Sequence, residues 1–195
     1  MAVKHAALVA GALVATLSLV GCGSAEQHPH FAGGVLEHPA PPPDFTLRDQ
    51  RGRAVHLQAL RGKVVLLTFL YTHCPDVCPI TAANLNTALQ RLGGERSRVV
   101  VLAVSVDPVG DTHASVLSFI RRHRLLPQFH YLTGRRATLE RVWRMYNVVA
   151  VRRGPGDVDH TLYTLLVDRS GTGRVLFDVK ATPAAVAHDV RQLLA

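Results

Sequence analysis

The sequence predicts an α/β domain built on a central mixed sheet flanked by helices. Three observations predict it. Val64–Leu70 and Val99–Val106 are apolar on nearly every residue, as strands buried on both faces are. A helical pattern joins them, which makes a βαβ unit with a parallel pair and a right-handed crossover. Farther on, Thr161–Val167 and Arg174–Val179 flank Arg169–Gly173, and this reads as an antiparallel hairpin before a last helix.

The elements follow in order. The leader comes first. Lys4 makes a positive n-region, Ala6–Val20 an apolar h-region, and Leu19-Val20-Gly21-Cys22 a lipobox. Residues 1–21 are therefore expected to be a signal peptide, with Cys22 the lipidated new N-terminus. The apolar run falls short of the ~20 residues that a membrane span needs. This places the chain on the extracytoplasmic (periplasmic) face of the cell membrane, held by a lipid anchor; Gly23 after Cys22 gives no clear retention signal, so the inner membrane is favoured over the outer only by the family resemblance described below. Residues 22–43, rich in Gly, Pro, Ala and His, read as a flexible linker of about 25 Å end to end, or about 60 Å extended. The linker histidines His28, His30 and His38 have no cysteine or carboxylate beside them and read as solvated residues.

The domain is expected over 44–195. Phe45–Leu47 and Ala54–Leu57 flank Asp49-Gln50-Arg51-Gly52, an N-terminal β-hairpin. After the strand near Lys63–Tyr71, a helix is expected from Pro79 to Leu92, with Ile80, Leu85, Leu89 and Leu92 inward and Gly93-Gly94 as its stop. A second helix is expected near Thr112–His123, with Asp111 as N-cap and Val116, Phe119 and Ile120 inward. Phe129–Leu132 reads as a short strand, and Leu139, Val142, Trp143 and Tyr146 repeat at helical spacing. Thr182-Pro183 opens the last helix, with Val186, Val190 and Leu194 inward. The order βαβ, insertion, ββα, after an N-terminal hairpin, is that of a thioredoxin-like fold.

The net charge of +8 is carried mostly by arginine, much of it between Arg121 and Arg153. Such a surface attracts anionic lipid or an acidic partner. It would attract nucleic acid too, but an exported lipoprotein does not meet it, so no nucleic-acid partner is expected. A solvated surface written in an arginine-rich composition is the favoured account of the charge.

Beyond Cys22 the chain has two cysteines, Cys74 and Cys78, at the turn from strand to helix, where a thioredoxin-type fold keeps its reactive sulfurs. Their spacing is C-x-x-x-C. A stapling disulfide over so short a loop adds only about 2 kcal/mol, so a functional thiol pair is the better account. With Pro79 at the first helical position, Cys78 is expected at the N-cap, its thiolate favoured by the helix dipole. Two thiolates suit Cu(I) and are acceptable to Zn(II), and a metal held by the pair needs a third donor. A redox pair and a metal site both remain open at this point. Met145 is the only methionine besides the initiator, which excludes a Met-rich copper site.

Thr68-Phe69-Leu70-Tyr71-Thr72-His73-Cys74-Pro75-Asp76-Val77-Cys78-Pro79 resembles the signature of the Sco/SenC copper proteins. So do Gly62–Leu67, Ser105-Val106-Asp107-Pro108-Val109-Gly110-Asp111-Thr112 and Val158-Asp159-His160-Thr161, in the family's order. The resemblance implies one copper, Cu(I) or Cu(II), held by Cys74, Cys78 and His160. It implies a role in assembling the copper-A centre of cytochrome c oxidase subunit II, with a copper donor protein upstream. The role is delivery of copper by a metallochaperone or, alternatively, reduction of that centre's cysteines by Cys74 and Cys78 as a thiol-disulfide reductase. A copper or redox sensor would use the same chemistry. A peroxiredoxin-like peroxidase is disfavoured, because Cys74 lacks the P-x-x-x-T-x-x-C context. His73 is expected to be exposed or to stand behind the ligands, Asp76 to be a turn or partner-contact residue, Asp107 and Asp111 turn and cap residues, and Trp143 and Met145 packing residues.

Overall fold

The computed structural model describes residue 1 and residues 30–195. The leader, Cys22 and His28 lie outside the described residues. Among those residues no helix is long and apolar enough to cross a membrane.

Among the described residues, ten strands and four α-helices follow in chain order: β1 (Gly34–Val35), β2 (Thr46–Arg48), β3 (Ala54–His56), β4 (Val64–Leu70), α1 (Val77–Arg91), β5 (Val99–Ser105), α2 (His113–Arg122), β6 (Phe129–Leu132), α3 (Arg136–Met145), β7 (Ala150–Gly154), β8 (Asp157–His160), β9 (Thr164–Val167), β10 (Gly173–Phe177) and α4 (Pro183–Leu194). Six strands form the main sheet, in the order β1-β10-β9-β4-β5-β6. β4, β5 and β6 run parallel; β9 joins β4 antiparallel, and β10 and β1 continue that pattern. This is the expected mixed sheet of a thioredoxin-like fold.

β4 and β5 are buried at every residue, as continuous apolar runs dictate for strands covered on both faces. Helix α1 packs against α4, and Asn86 of α1 ties down the turn after α2 through Arg124 O and the Leu126 N–H. Thr182 caps α4 by accepting the Ala185 N–H, with Pro183 next in line.

Four local expectations are corrected. Helix α1 starts two residues earlier than expected, with Asp76 at the N-cap position. Pro79 is then its third residue, tolerated because first-turn N–H groups have no helical acceptor to lose. Ile80 consequently points to solvent, 51% exposed, while Ala82, Leu85 and Leu89 take the inner face. The second helix is capped by Thr112, which accepts the Ser115 N–H, and not by Asp111. The last hairpin's first strand starts at Thr164, because Thr161 is drawn into the neck of another hairpin through Val149. That hairpin, β7–β8, was not anticipated from the sequence; it stands outside the main sheet.

The segment expected to be a free linker is, from residue 31 onward, part of the folded body. β1 pairs with β10, Phe31 and Leu36 pack on the core, and Tyr146 Oη donates to Pro43 O at 2.6 Å. The buried Asp189 carboxylate accepts the Ala32 and Gly33 N–H groups at 2.7 and 3.0 Å. Gly33 is needed there, since a Cβ would stand 2.5 Å from Val175 Cγ1.

Candidate metal centre

The centre is assembled at the C-terminal end of β4. Paired on both sides and buried throughout, β4 delivers Tyr71 and the Thr72–Asp76 loop to a rigid position. The Val106 N–H donates to Leu70 O, which carries the pairing to the edge of the loop. Cys74 and Cys78 both carry free thiols.

The two sulfurs differ in kind. Cys74, half-buried, sits ahead of the helix, and its Sγ accepts the Cys78 N–H at 3.4 Å. The Cys78 thiol, and then the N–H groups of Asp76 and Cys78 at the helix start, pull its pKa down to about 5. Cys78 lies inside the first turn and is fully buried. Its proton, given toward Cys74, and its burial push its pKa far up. The expected assignment is therefore reversed. The helix N-terminus stabilises the thiolate of Cys74, because the residue before the helix, and not the one within it, faces the free N–H groups.

His160, the last residue of β8, closes the group. Its Nδ1–H donates to Thr161 O at 2.9 Å. A carbonyl only accepts, so the proton is on Nδ1 and the Nε2 lone pair is free. Nε2 stands 3.6 Å from Cys78 Sγ. Burial holds the imidazole pKa below its ordinary value, which favours the neutral, ligating form. The ring of Tyr71 meets it edge-on at 5.7 Å.

The loop therefore brings Cys74 to Cys78, and the hairpin brings His160 to Cys78. No closed cluster of three or more His, Cys, Asp or Glu side chains is formed among the described residues. Taking one ion would need the three donors to close around it.

The other named residues fall as follows. His73 is exposed, with Nδ1 3.1 Å from Thr72 Oγ1. Asp76 is exposed at the helix start without a side-chain cap bond. Trp143 packs in the core and donates to Ser105 O at 2.9 Å, and the partly buried Met145 packs against that core. Asp111 is a correction: it is buried beneath the loop. Its Oδ1 accepts from Thr72 N and Oγ1, both at 2.8 Å, and its Oδ2 from Ser105 Oγ at 2.5 Å and Tyr131 Oη at 2.9 Å. Burial raises its pKa. Sequence reasoning missed this support and the Arg152–Asp107 ion pair. Gly154-Pro155-Gly156 between two β-rich runs was the signal for the hairpin that carries Arg152.

Residues 36–195 match the SCO1/SenC family model. The chain belongs to the SCO1/SenC family. Among its relatives is Protein SenC of Rhodobacter capsulatus, 31% identical over 75% of this chain and 67% of that protein. Among solved structures, Bradyrhizobium japonicum ScoI with copper bound is 36% identical, with a TM-score of 0.70 over 80% of this chain and 100% of that one. BsSco, a member of the Sco family of cytochrome c oxidase assembly proteins with an identified disulfide switch, shares the fold at 24% identity and a TM-score of 0.67, over 83% and 98%. The family and its fold are therefore those of this chain; copper is described for the Bradyrhizobium protein and oxidase assembly for the family of BsSco.

Proposed function

We propose that this SCO1/SenC protein is a membrane-tethered copper metallochaperone that helps assemble the copper-A centre of cytochrome c oxidase. Cys74, Cys78 and His160 are its copper donors, and Cys22 carries the lipid anchor on the periplasmic face of the membrane. The donor chemistry fits the cargo. Two thiolates suit Cu(I), and an imidazole nitrogen makes Cu(II) acceptable as well. The observation that carries the reading is the imidazole held with Nδ1 occupied and Nε2 facing Cys78 Sγ at 3.6 Å. Thiol exchange alone needs no such nitrogen. The copper-bound ScoI relative supports the metal.

A second reading rests on the same sulfurs. A thiol of low pKa beside a protonated partner is suited to attack a disulfide. The Cys74 thiolate would displace one sulfur of a substrate disulfide, and Cys78 would then release the mixed disulfide. The chain would end as a Cys74–Cys78 disulfide and the substrate as two thiols, with two electrons moved.

Mixing copper-loaded protein with the metal-free copper-A domain of an oxidase subunit II tests both. Copper appearing in the reduced domain supports the chaperone. Reduction of an oxidised domain without metal movement overturns it in favour of the reductase. His160→Ala is expected to weaken copper binding severely, most of all for Cu(II); binding of both oxidation states at parental strength would remove His160 from the donor set.

A further inference from the structure

His160 is carried by a hairpin that belongs to no larger sheet. Its neck is closed upon itself, Thr161 N–H to Val149 O and Val149 N–H to Thr161 Oγ1. Backbone pairing therefore does not set where β7–β8 lies against the body; side chains must. Val158 is its buried apolar contact. On the opposite strand, Arg152 Nη1 donates to Asp107 Oδ1 in the loop after β5.

The receiving carboxylate is built for this. The Asp107 side chain is 1% exposed, and a buried charge needs a paired partner. Its other oxygen, Oδ2, is buried without a hydrogen-bond partner, which leaves Arg152 as the compensating cation at Oδ1. Gly110 makes the room: a Cβ there would stand 2.2 Å from Asp107 Oδ2 and 3.2 Å from His73 Nδ1. At the hairpin tip, a Cβ on Gly156 would stand 3.5 Å from His73 Cβ, so the tip closes over the cysteine loop.

We infer that Arg152 is a positioning residue for copper binding: its ion pair with Asp107 latches the β7–β8 hairpin to the body and so sets His160 against Cys78. This rests on the three-donor reading above. With the latch closed, the imidazole is in place before the metal arrives. With the latch broken, the hairpin keeps only uncharged contacts such as Val158 in the core and the His160 ring against Tyr71, and apparent affinity falls with the fraction of molecules whose donors are in place. The loss is greater for Cu(II), which depends on the imidazole, than for Cu(I), which the two thiolates hold.

The test uses the full-length chain with Arg152→Gln, with the charge-preserving Arg152→Lys, and with Gly110→Ala, which crowds Asp107 and leaves the hairpin sequence intact. In metal-free protein, Arg152→Gln and Gly110→Ala are expected to speed amide hydrogen exchange across residues 150–160 about tenfold, with the α1 and β4 amides unchanged. Arg152→Lys should restore most of the protection. In titrations, Arg152→Gln is expected to weaken Cu(II) about tenfold and Cu(I) less, and to add nothing in a His160→Ala background. Parental exchange across the hairpin would overturn the latch. So would an equal loss of affinity with and without His160. If His160→Ala binds copper as the parent does, the donor assignment fails, while the exchange data still decide the latch.

Discussion

Cys74 and Cys78 are four residues apart and chemically unlike, because the helix begins between them. Cys74 takes the stabilising donors, and Cys78 takes the burial. The arrangement favours the negative charge on Cys74 and the proton on Cys78. A short pulse of iodoacetamide on the metal-free, reduced chain at pH 7 is therefore expected to label Cys74 at least about tenfold faster than Cys78. Mass spectrometry of the peptides would show it, and faster labelling of Cys78 would reverse the assignment. Asp111 is the matching structural residue: a carboxyl group with four donors around it fixes the loop's first residue to β5 and β6.

At the level of elements, α1 and β1 make the sharpest claims. Since Ile80 is exposed and Leu85 buried, Ile80→Lys should change stability by less than about 0.5 kcal/mol, while Leu85→Ala should cost about 2–5 kcal/mol. Urea denaturation of both variants would measure this, and a costly Ile80→Lys would mean that α1 is rotated from the face described. The short β1 depends on the buried carboxylate of α4. Asp189→Ala leaves the Ala32 and Gly33 N–H groups without their acceptor. It should cost about 1–3 kcal/mol and speed amide exchange over residues 32–36. Unchanged protection there would show that pairing with β10 suffices.

At the level of the whole molecule, every part of the centre lies beyond the C-terminal ends of the parallel strands, the loop after β4 and the loop after β5, with the hairpin over them. β1 runs antiparallel to β10, β10 to β9 and β9 to β4, so the chain also enters the body at that end. A tether attached there would hold the centre toward the surface to which it is anchored. Exposed ion pairs such as Arg136–Glu140 and Arg153–Asp159 add little to stability; the +8 charge concerns partners more than folding. Acid sensitivity is expected to come from histidines. Burial lowers the pKa of His130 and of His160 below 6.5. The unfolded chain then takes up protons that the folded one refuses, so their contribution is full above pH 6.5 and is lost as pH falls through the folded values. Asp111, with its raised pKa, works in the opposite sense, being favoured when protonated. His130→Gln should therefore flatten the fall in metal-free stability between pH 7 and 5, measured by denaturant midpoints at each pH. An unchanged slope would take His130 out of the account.

The continuous apolar runs of β4 and β5, the helical stripes of α3 and α4, and the cysteine turn were legible in the sequence because each is a local pattern that burial on one face or both imposes on neighbouring residues. His160 was legible only through its resemblance to a family motif; among eleven histidines nothing local marks it. Three things were decided by tertiary structure alone. The first residue of α1 determines which cysteine receives the free N–H groups, and a proline tolerated anywhere in the first turn does not fix that residue. Residues 31–43 look like a linker by composition and are ordered by an aspartate more than a hundred and fifty positions away. His160 reaches Cys78 Sγ on a hairpin whose Arg152 pairs with Asp107 in the loop after β5. Contacts of this kind join residues distant in the chain, and their strength comes from a burial that exists only once the chain is folded.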